Sequence, residues 1–374
     1  MTTDQELRHI IALTQIRGVG STRARHFIEA LGSAEAVFSA DASLLQQAGA
    51  VGQLVVKWRG ERRLFDVADR ELQFIHAHGI RPLVYGDEGY PHRLLDCPDA
   101  PAVLFQLGNT DLESKHVVSI VGTRQCTQYG RDCVQRFVQE LHEAVPDVII
   151  VSGLALGIDV ESHRASLSYQ VPTVGVVAHG LDRIYPYQHR DVARQMVQQG
   201  GSIVTEYLSG TQPERGNFLA RNRIIAGLAD AVLVAESHDK GGSLVTASIA
   251  LDYGRDVFCF PGRVGDVCST GCNRLIRLNR AGLITSAQDL LDAMGWASES
   301  HGTTAIQQSI PFEEEHLTAD QRLIIDALRA QGDLRVSQLE EFTHLEHALL
   351  LQNLLDLEMD NHLRRTPAGV YQIK

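Results

Sequence analysis

The stretch Phe218-Leu219-Ala220-Arg221-Asn222-Arg223-Ile224-Ile225-Ala226-Gly227-Leu228-Ala229-Asp230 leads into the apolar run Ala231-Val232-Leu233-Val234-Ala235 and then into Asp239-Lys240-Gly241-Gly242-Ser243-Leu244-Val245-Thr246-Ala247. It reads as helix, strand, glycine turn and helix. Two arginines flank an asparagine at what reads as a helix start, and Lys240 with two glycines opens the next helix. A wholly apolar strand is one covered on both faces, and strand–helix alternation builds a parallel, doubly wound sheet. The same residues suit phosphates held where such a sheet ends. Helix N-termini offer free N–H groups and a positive dipole end, glycine lets a ligand approach the backbone, and Arg and Lys supply countercharge.

The unit repeats across residues 112–297. Residues 117–121 form a strand, followed by Gly122-Thr123-Arg124 and a helix to residue 143. Residues 147–151 form the next, followed by Ser152-Gly153-Leu154-Ala155-Leu156-Gly157-Ile158-Asp159 and a helix to residue 169. Residues 172–178, 202–205, 231–235 and 256–260 complete six strands. The fold class is α/β. Ligands of open α/β sheets bind at the strand ends, where these glycine turns lie. Arg124 follows the first strand, Lys240 the fifth, and Arg221 and Arg223 lie between the fourth and fifth, so four cations are expected to converge on one edge. Phe218 beside them fits stacking on an unpaired base, or else a buried ring in the helix.

The flanks differ in character. Residues 1–80 form an N-terminal helical domain, with helical spacing over 5–13 and 22–31. Between these lies Ile16-Arg17-Gly18-Val19-Gly20-Ser21, a turn of helix-hairpin-helix type that also reads as a plain turn of a small bundle. Residues 81–111, broken by Pro82, Pro91, Pro98 and Pro101, form a connecting segment that lays one or two strands on the next domain. Residues 298–315 are a polar linker. Residues 316–374 predict three helices, 317–330, 336–342 and 345–360, and a hairpin, the pattern of a winged helix. The third helix is nearly free of cations, which favours protein contact or a structural role over base reading.

The chain has 374 residues and a net charge of −12, but its acidity lies in the flanks: residues 115–285 carry 17 Lys and Arg against 16 Asp and Glu. No apolar run approaches the ~20 residues of a bilayer span, and Met1-Thr2-Thr3-Asp4-Gln5-Glu6 has no signal-peptide character. A cytoplasmic protein is expected, with no membrane partner. The cysteines, Cys97, Cys126, Cys133, Cys259, Cys268 and Cys272, contain no C-x-x-C pair and read as reduced thiols without a metal site. Neither a P-loop nor a G-x-G-x-x-G follows a strand, and no cofactor is implied. Asp159, Asp182, Glu206 and Glu236 lie near strand ends, and His163 and His179 read as structural. None forms a nucleophile–base set, so no catalytic residue is assigned.

Six segments in order carry a resemblance. Ser119-Ile120-Val121-Gly122-Thr123-Arg124, residues 152–159, Gly180-Leu181-Asp182-Arg183-Ile184-Tyr185-Pro186, residues 218–228, residues 242–247 and Gly254-Arg255-Asp256-Val257-Phe258-Cys259-Phe260-Pro261-Gly262 resemble the DNA-processing protein A family (DprA, also called Smf). The resemblance implies an extended Rossmann-like domain that binds single-stranded DNA. It further implies a homodimer that protects incoming strands in natural transformation and helps load the RecA recombinase. By motif, Arg124, Phe218, Arg221, Asn222, Arg223 and Lys240 fall on the family's DNA-binding pocket, completed by Ser152, Gly153, Arg215, Asn217, Gly242 and Ser243. Gly241-Gly242-Ser243 departs from the commoner Ser-Gly-Ser, with little expected consequence. The rival is a Rossmann-like enzyme that cleaves nucleoside monophosphates through a P-G-G-x-G-T loop and a glutamate. Residues 239–247 lack both the proline and the glutamate.

Overall fold

Strands β1 (Arg81–Val84), β2 (Val103–Gly108), β3 (Val117–Val121), β4 (Ile149–Ser152), β5 (Thr173–Val176), β6 (Ser202–Thr205), β7 (Ala231–Val234), β8 (Asp256–Cys259) and β9 (Gly282–Leu283) pair into one sheet in the order β1-β2-β6-β5-β4-β3-β7-β8-β9. They are seen in a computed structural model that describes residues 2–49, 51–296, 317–332, 334–359, 362–365 and 370–373. From β6 to β9 the strands are parallel, while β1 and β2 add antiparallel at one edge. Alternate residues point to opposite faces. Val117, Val121, Val151, Val232 and Val234 enter one core, and Val118, Ile120, Ile150, Ala231 and Leu233 enter the other. Both faces are covered, so the strands read as unbroken apolar runs.

The helices of this unit are α1 (Asp4–Thr14), α2 (Gly20–Leu31), α3 (Ala34–Ser39), α4 (Ala42–Ala48), α5 (Gly52–Trp58), α6 (Arg62–His78), α7 (His92–Leu95), α8 (Gln128–Ala144), α9 (Ile158–Ser168), α10 (Arg190–Gln198), α11 (Arg215–Gly227), α12 (Gly242–Asp252), α13 (Thr270–Arg277) and α14 (Ala287–Met294). The first six form a bundle around Leu7, Ile10, Ile11, Phe27 and Ile75, and Val84, Val103 and Phe105 of β1 and β2 join the same core. The proline-punctuated segment thus supplies both strands and ties the bundle to the sheet. Residues 1–300 form one compact unit. The two-residue β9 extends the six strands read from sequence at the opposite edge, where a run this short leaves no period.

Residues 301–374 form a second unit. It holds α15 (Ala319–Gln331), α16 (Val336–Thr343) and α17 (His347–Met359), with β11 (Leu363–Arg365) and β12 (Val370–Ile373). A two-residue strand, β10 (Leu334–Arg335), pairs with β12 and completes a three-stranded antiparallel sheet. Ile324, Leu328, Leu339, Leu350, Leu354, Leu357 and Leu363 make its core. The linker expected over 298–315 and the hairpin tip at 366–369 lie outside the described residues. Among the described residues no helix is long and apolar enough to cross a membrane.

Candidate functional site

The strand order reverses at β3. Its chain continues to β4 on one side, while β7 lies on the other. Such a switch point leaves a crevice beyond the strand ends. Here it is a cavity of about 400 Å³ lined by residues of the β3–α8 and β7–α12 loops, of α11 and of the α9 and α12 starts. The loops are laced together: Thr123 N donates to Glu236 O at 2.8 Å, and Ile158 N donates to Thr123 O at 3.1 Å. Gly157 is required for this lacing. Its φ is +77°, and a Cβ there would lie 2.2 Å from Thr123 O. Helix α12 starts at the crevice with Gly241 as N-cap and no side-chain cap, and nothing lies within 4 Å of where a Gly242 Cβ would stand. Its first amides are open to an anion.

The arginines divide sharply. Helix α11 begins at Arg215, after Glu214, not at the Arg221-Asn222-Arg223 cluster where the sequence placed its start. Those three residues therefore sit in mid-helix, where successive residues turn by ~100°. Arg221 and Arg223 lie ~200° apart and cannot share a face. Arg221 turns inward and is 3% exposed. Its Nη1 donates to Gly153 O at 2.7 Å and to Val176 O, and it lies on the crevice floor beside Asp159. Burial lowers the Arg221 pKa and raises that of Asp159, so the pair is held under a desolvation load. Among the described residues Arg221 Nε is buried without a hydrogen-bond partner. Gly153 makes room for this guanidinium: a Cβ there would lie 2.3 Å from Arg221 Nη1.

Arg223 turns the other way and pairs with Glu206, with Asp99 3.9 Å from its Nε. Burial works to lower its pKa, but these two carboxylates carry it above the ordinary value. The expected convergence of four cations is therefore not what forms. Arg124 and Arg221 line the cavity, and Arg223 and Lys240 do not. Lys240 is exposed in the loop before α12, and Arg215 is exposed at the first turn of α11.

The rim is aromatic and cationic. Phe218 is half-buried, not core, with the Arg124 guanidinium 5.7 Å from its ring centre. Asn222, Gly242 and Ser243 also line the cavity, and Ser243 Oγ donates to Ser237 Oγ at 2.9 Å. Ser152 is buried and donates to Ile120 O at 2.6 Å, which fixes β4 against β3. Asn217 donates to Gln212 O at 3.3 Å and steadies the approach to α11. Sequence reasoning did not single out Tyr185, whose exposed ring lies 5.8 Å from that of Phe218. The signal was its place in the Gly180–Pro186 segment.

The remaining polar groups are committed to the scaffold. Asp182 accepts from Gly210 N at 2.8 Å and pairs with Arg183. Glu236 accepts from Thr127 N at 2.8 Å and Thr127 Oγ1 at 2.6 Å, anchoring the start of α8. His163 Nδ1 meets Thr173 Oγ1 at 2.8 Å, and burial pushes its pKa down to about 3. His179 Nε2 accepts from Tyr185 N at 3.1 Å, and burial lowers its pKa too. Among the described residues one thiol approaches an imidazole: Cys268 Sγ lies 3.9 Å from His238 Nε2. Burial, Glu236 and Asp266 raise the thiol's pKa, which disfavours the thiolate a nucleophile needs.

Comparison with known proteins now adds to this geometry. Residues 81–295 match the family model described as DNA recombination-mediator protein A. The chain is 42% identical over 205 residues to the DNA processing protein DprA of Streptococcus pneumoniae, covering 55% of this chain and 71% of that one. A solved structure of DNA processing protein A from Streptococcus pneumoniae superposes with a TM-score of 0.65 at 33% identity, over 78% of this chain and 98% of that one. A second, of DNA processing protein A from Helicobacter pylori, was described for its single-stranded DNA binding mode. It matches with a TM-score of 0.51 at 31% identity, over 57% of this chain and 95% of that one.

Proposed function

The chain belongs to the DNA recombination-mediator protein A family, and on that premise we propose that it binds single-stranded DNA in the crevice between β3 and β7. The observation that carries this reading is the rim: Phe218 half-exposed under the Arg124 guanidinium, beside an uncapped helix start. Phosphates meet the α12 amides at Gly242 and Ser243 and the charge of Arg124, while an unpaired base stacks on Phe218. Asn222 reaches the same space. Arg221, Ser152 and Gly153 build the floor beneath it, Lys240, Arg215 and Asn217 stand on the approaches, and Arg223 holds α11 in place. The lining offers little to read base edges, so binding has little sequence preference. The Helicobacter pylori relative supports the choice of ligand. The test is fluorescence anisotropy with oligo-thymidine and blunt duplex across a salt series. Tighter binding to the single strand with a steep salt dependence is expected. Equal or tighter binding to duplex at matched salt would falsify it.

The strand so held is material for recombination. In this reading the protein acts as a cytoplasmic homodimer that protects incoming strands in natural transformation and helps load the RecA recombinase. Family membership supports it. The organisation is an N-terminal helical domain (1–80), a connecting segment (81–111), the Rossmann-like DNA-binding domain (112–297), a linker (298–315) and a winged-helix-like domain (316–374). The protein is a binding module, not an enzyme. Its strand-end carboxylates are spent on Arg221, Arg183, Arg223 and Thr127. Residues 239–247 lack the proline and glutamate of the monophosphate-cleaving rival. Incubation with ATP and nucleoside monophosphates followed by chromatography is expected to show no turnover that copurifies with the chain.

A further inference from the structure

In the second unit, α17 buries one face and, among the described residues, leaves the other exposed. Leu350, Asn353, Leu354 and Leu357 are buried. On the opposite side Leu351 is 41% exposed, Leu355 57% and Met359 76%. These three recur at i, i+4 and i+8, so they form a single stripe. With Ala348, also exposed, the stripe covers about 17 Å of helix at 1.5 Å per residue. In the heptad that places Leu355 at d and Met359 at a, Ala348 is also at d, Leu351 is at g, and Asp356 and Glu358 fall at e and g. At 100° per residue, Asp356 and Glu358, both exposed, stand on opposite flanks of it.

Charge decides what fits. No Lys or Arg occurs between Arg335 and Arg364, and the interval holds Glu340, Glu341, Glu346, Asp356, Glu358 and Asp360. A phosphate backbone meets repulsion here and finds no cationic Lys or Arg to offset it. A second copy of the same helix brings like charges together across the seam, at the positions where coiled coils place opposite ones. The complement is a helix with an apolar seam flanked by Lys or Arg.

We propose that α17 is the docking surface for a basic amphipathic helix of a protein partner, seated on Leu351, Leu355 and Met359 between the carboxylates of Asp356 and Glu358. The residues of this surface are not among those that line the crevice, and the proposal stands whether or not the crevice binds DNA.

The test uses the full chain and a labelled three-heptad peptide with Leu at a and d and Lys at e and g. A peptide of the same composition, scrambled to break the seam, is the control. Anisotropy is expected to show saturable binding of the heptad peptide and at least about tenfold weaker binding of the scrambled one. Leu355→Ser, and separately Asp356→Lys with Glu358→Lys, are each expected to weaken binding about tenfold. Neither changes the melting temperature or the affinity for oligo-thymidine, because these side chains are exposed and are not among the residues that line the crevice. Equal binding of both peptides, or wild-type affinity in both variants, overturns the proposal. So does a Leu355→Ser chain that changes its oligomeric state in sedimentation, which makes a second copy the occupant, or one that loses duplex DNA binding.

Discussion

Arg221 and Arg124 line the same crevice, yet they belong to different regions of it. Arg221 is 3% exposed on the floor, spent on Gly153 and Val176, with Asp159 beside it. Arg124 is exposed on the rim and rests over Phe218. The floor residues are tied to one another through the backbone carbonyls of Gly153, just after β4, and Val176 of β5, so their charge holds the strand ends in place. The rim residues have few protein partners, so their charge and ring area remain for a ligand. Position in a binding cavity therefore does not by itself make a residue a contact. Floor substitutions are expected to act on stability, rim substitutions on affinity.

The largest expected effect is on the floor. Arg221→Ala takes from buried Asp159 the stronger of the two cations acting on it, leaving Arg124, and a loss of up to about 3–5 kcal/mol is expected, as when one member of a buried pair is removed. Urea unfolding is the measurement. A variant as stable as the parent that merely binds DNA poorly breaks the division, because it makes Arg221 a ligand contact. The floor also has a pH signature through His163, which lies close enough to Arg221 to feel its charge. His163 is neutral in the fold, with a pKa near 3, against about 6.5 when unfolded. The unfolded chain binds the extra proton, so this stability is full above pH 6.5 and is lost as pH falls toward 3, at up to about 1.4 kcal/mol per unit. His163→Asn is expected to flatten that slope in thermal melts taken from pH 7 to pH 4. An unchanged slope means that other groups carry the acid response.

Rim effects are smaller and appear in binding. Phe218→Ala removes stacking, worth roughly 1–3 kcal/mol per base, and leaves stability and salt slope unchanged. Arg124→Ala removes a phosphate contact and flattens the salt slope by about one. Oligo-thymidine binding across a salt series separates the two. If Phe218→Ala unfolds the chain instead, the ring belongs with the floor.

The strands and the place of the crevice could be read in advance, but the division of floor from rim could not, and the reasons are physical. The strands showed because both faces are covered, which makes β3, β4, β5 and β7 nearly unbroken apolar runs. The glycines after β3, β4 and β7 marked the crevice because it is crowded there: a Cβ would meet the Ile158 side chain at Gly122, the Arg221 guanidinium at Gly153, the Thr123 carbonyl at Gly157 and the Ser237 hydroxyl at Gly241. The start of α11 did not show, because Arg215-Gly216-Asn217 has weak helical character and its first turn is set by the preceding loop. Helical geometry already forbade Arg221 and Arg223 from sharing a face, but that followed only once both were known to lie in mid-helix. The burial of Arg221 depends on carbonyls at Gly153 and Val176, far away in sequence, and no local pattern reports them. Tyr185 was hidden for the same reason: its nearness to Phe218 arises from the sheet order.

The smallest effect expected is from removing the second unit. Residues 301–374 carry 6 Lys and Arg against 12 Asp and Glu, so the part removed opposes a phosphate backbone. At physiological ionic strength exposed charges are largely screened beyond about 8 Å. If floor and rim together suffice for binding, a chain ending at Ser300 keeps its affinity for oligo-thymidine or gains slightly, with the gain growing as salt is lowered. Residues 1–300 form a compact unit, so circular dichroism should show the truncated chain folded. Anisotropy at two salt concentrations then decides. A folded truncation that loses affinity severalfold places part of the DNA surface outside the crevice, and the comparison of rim and floor would have to include a third region.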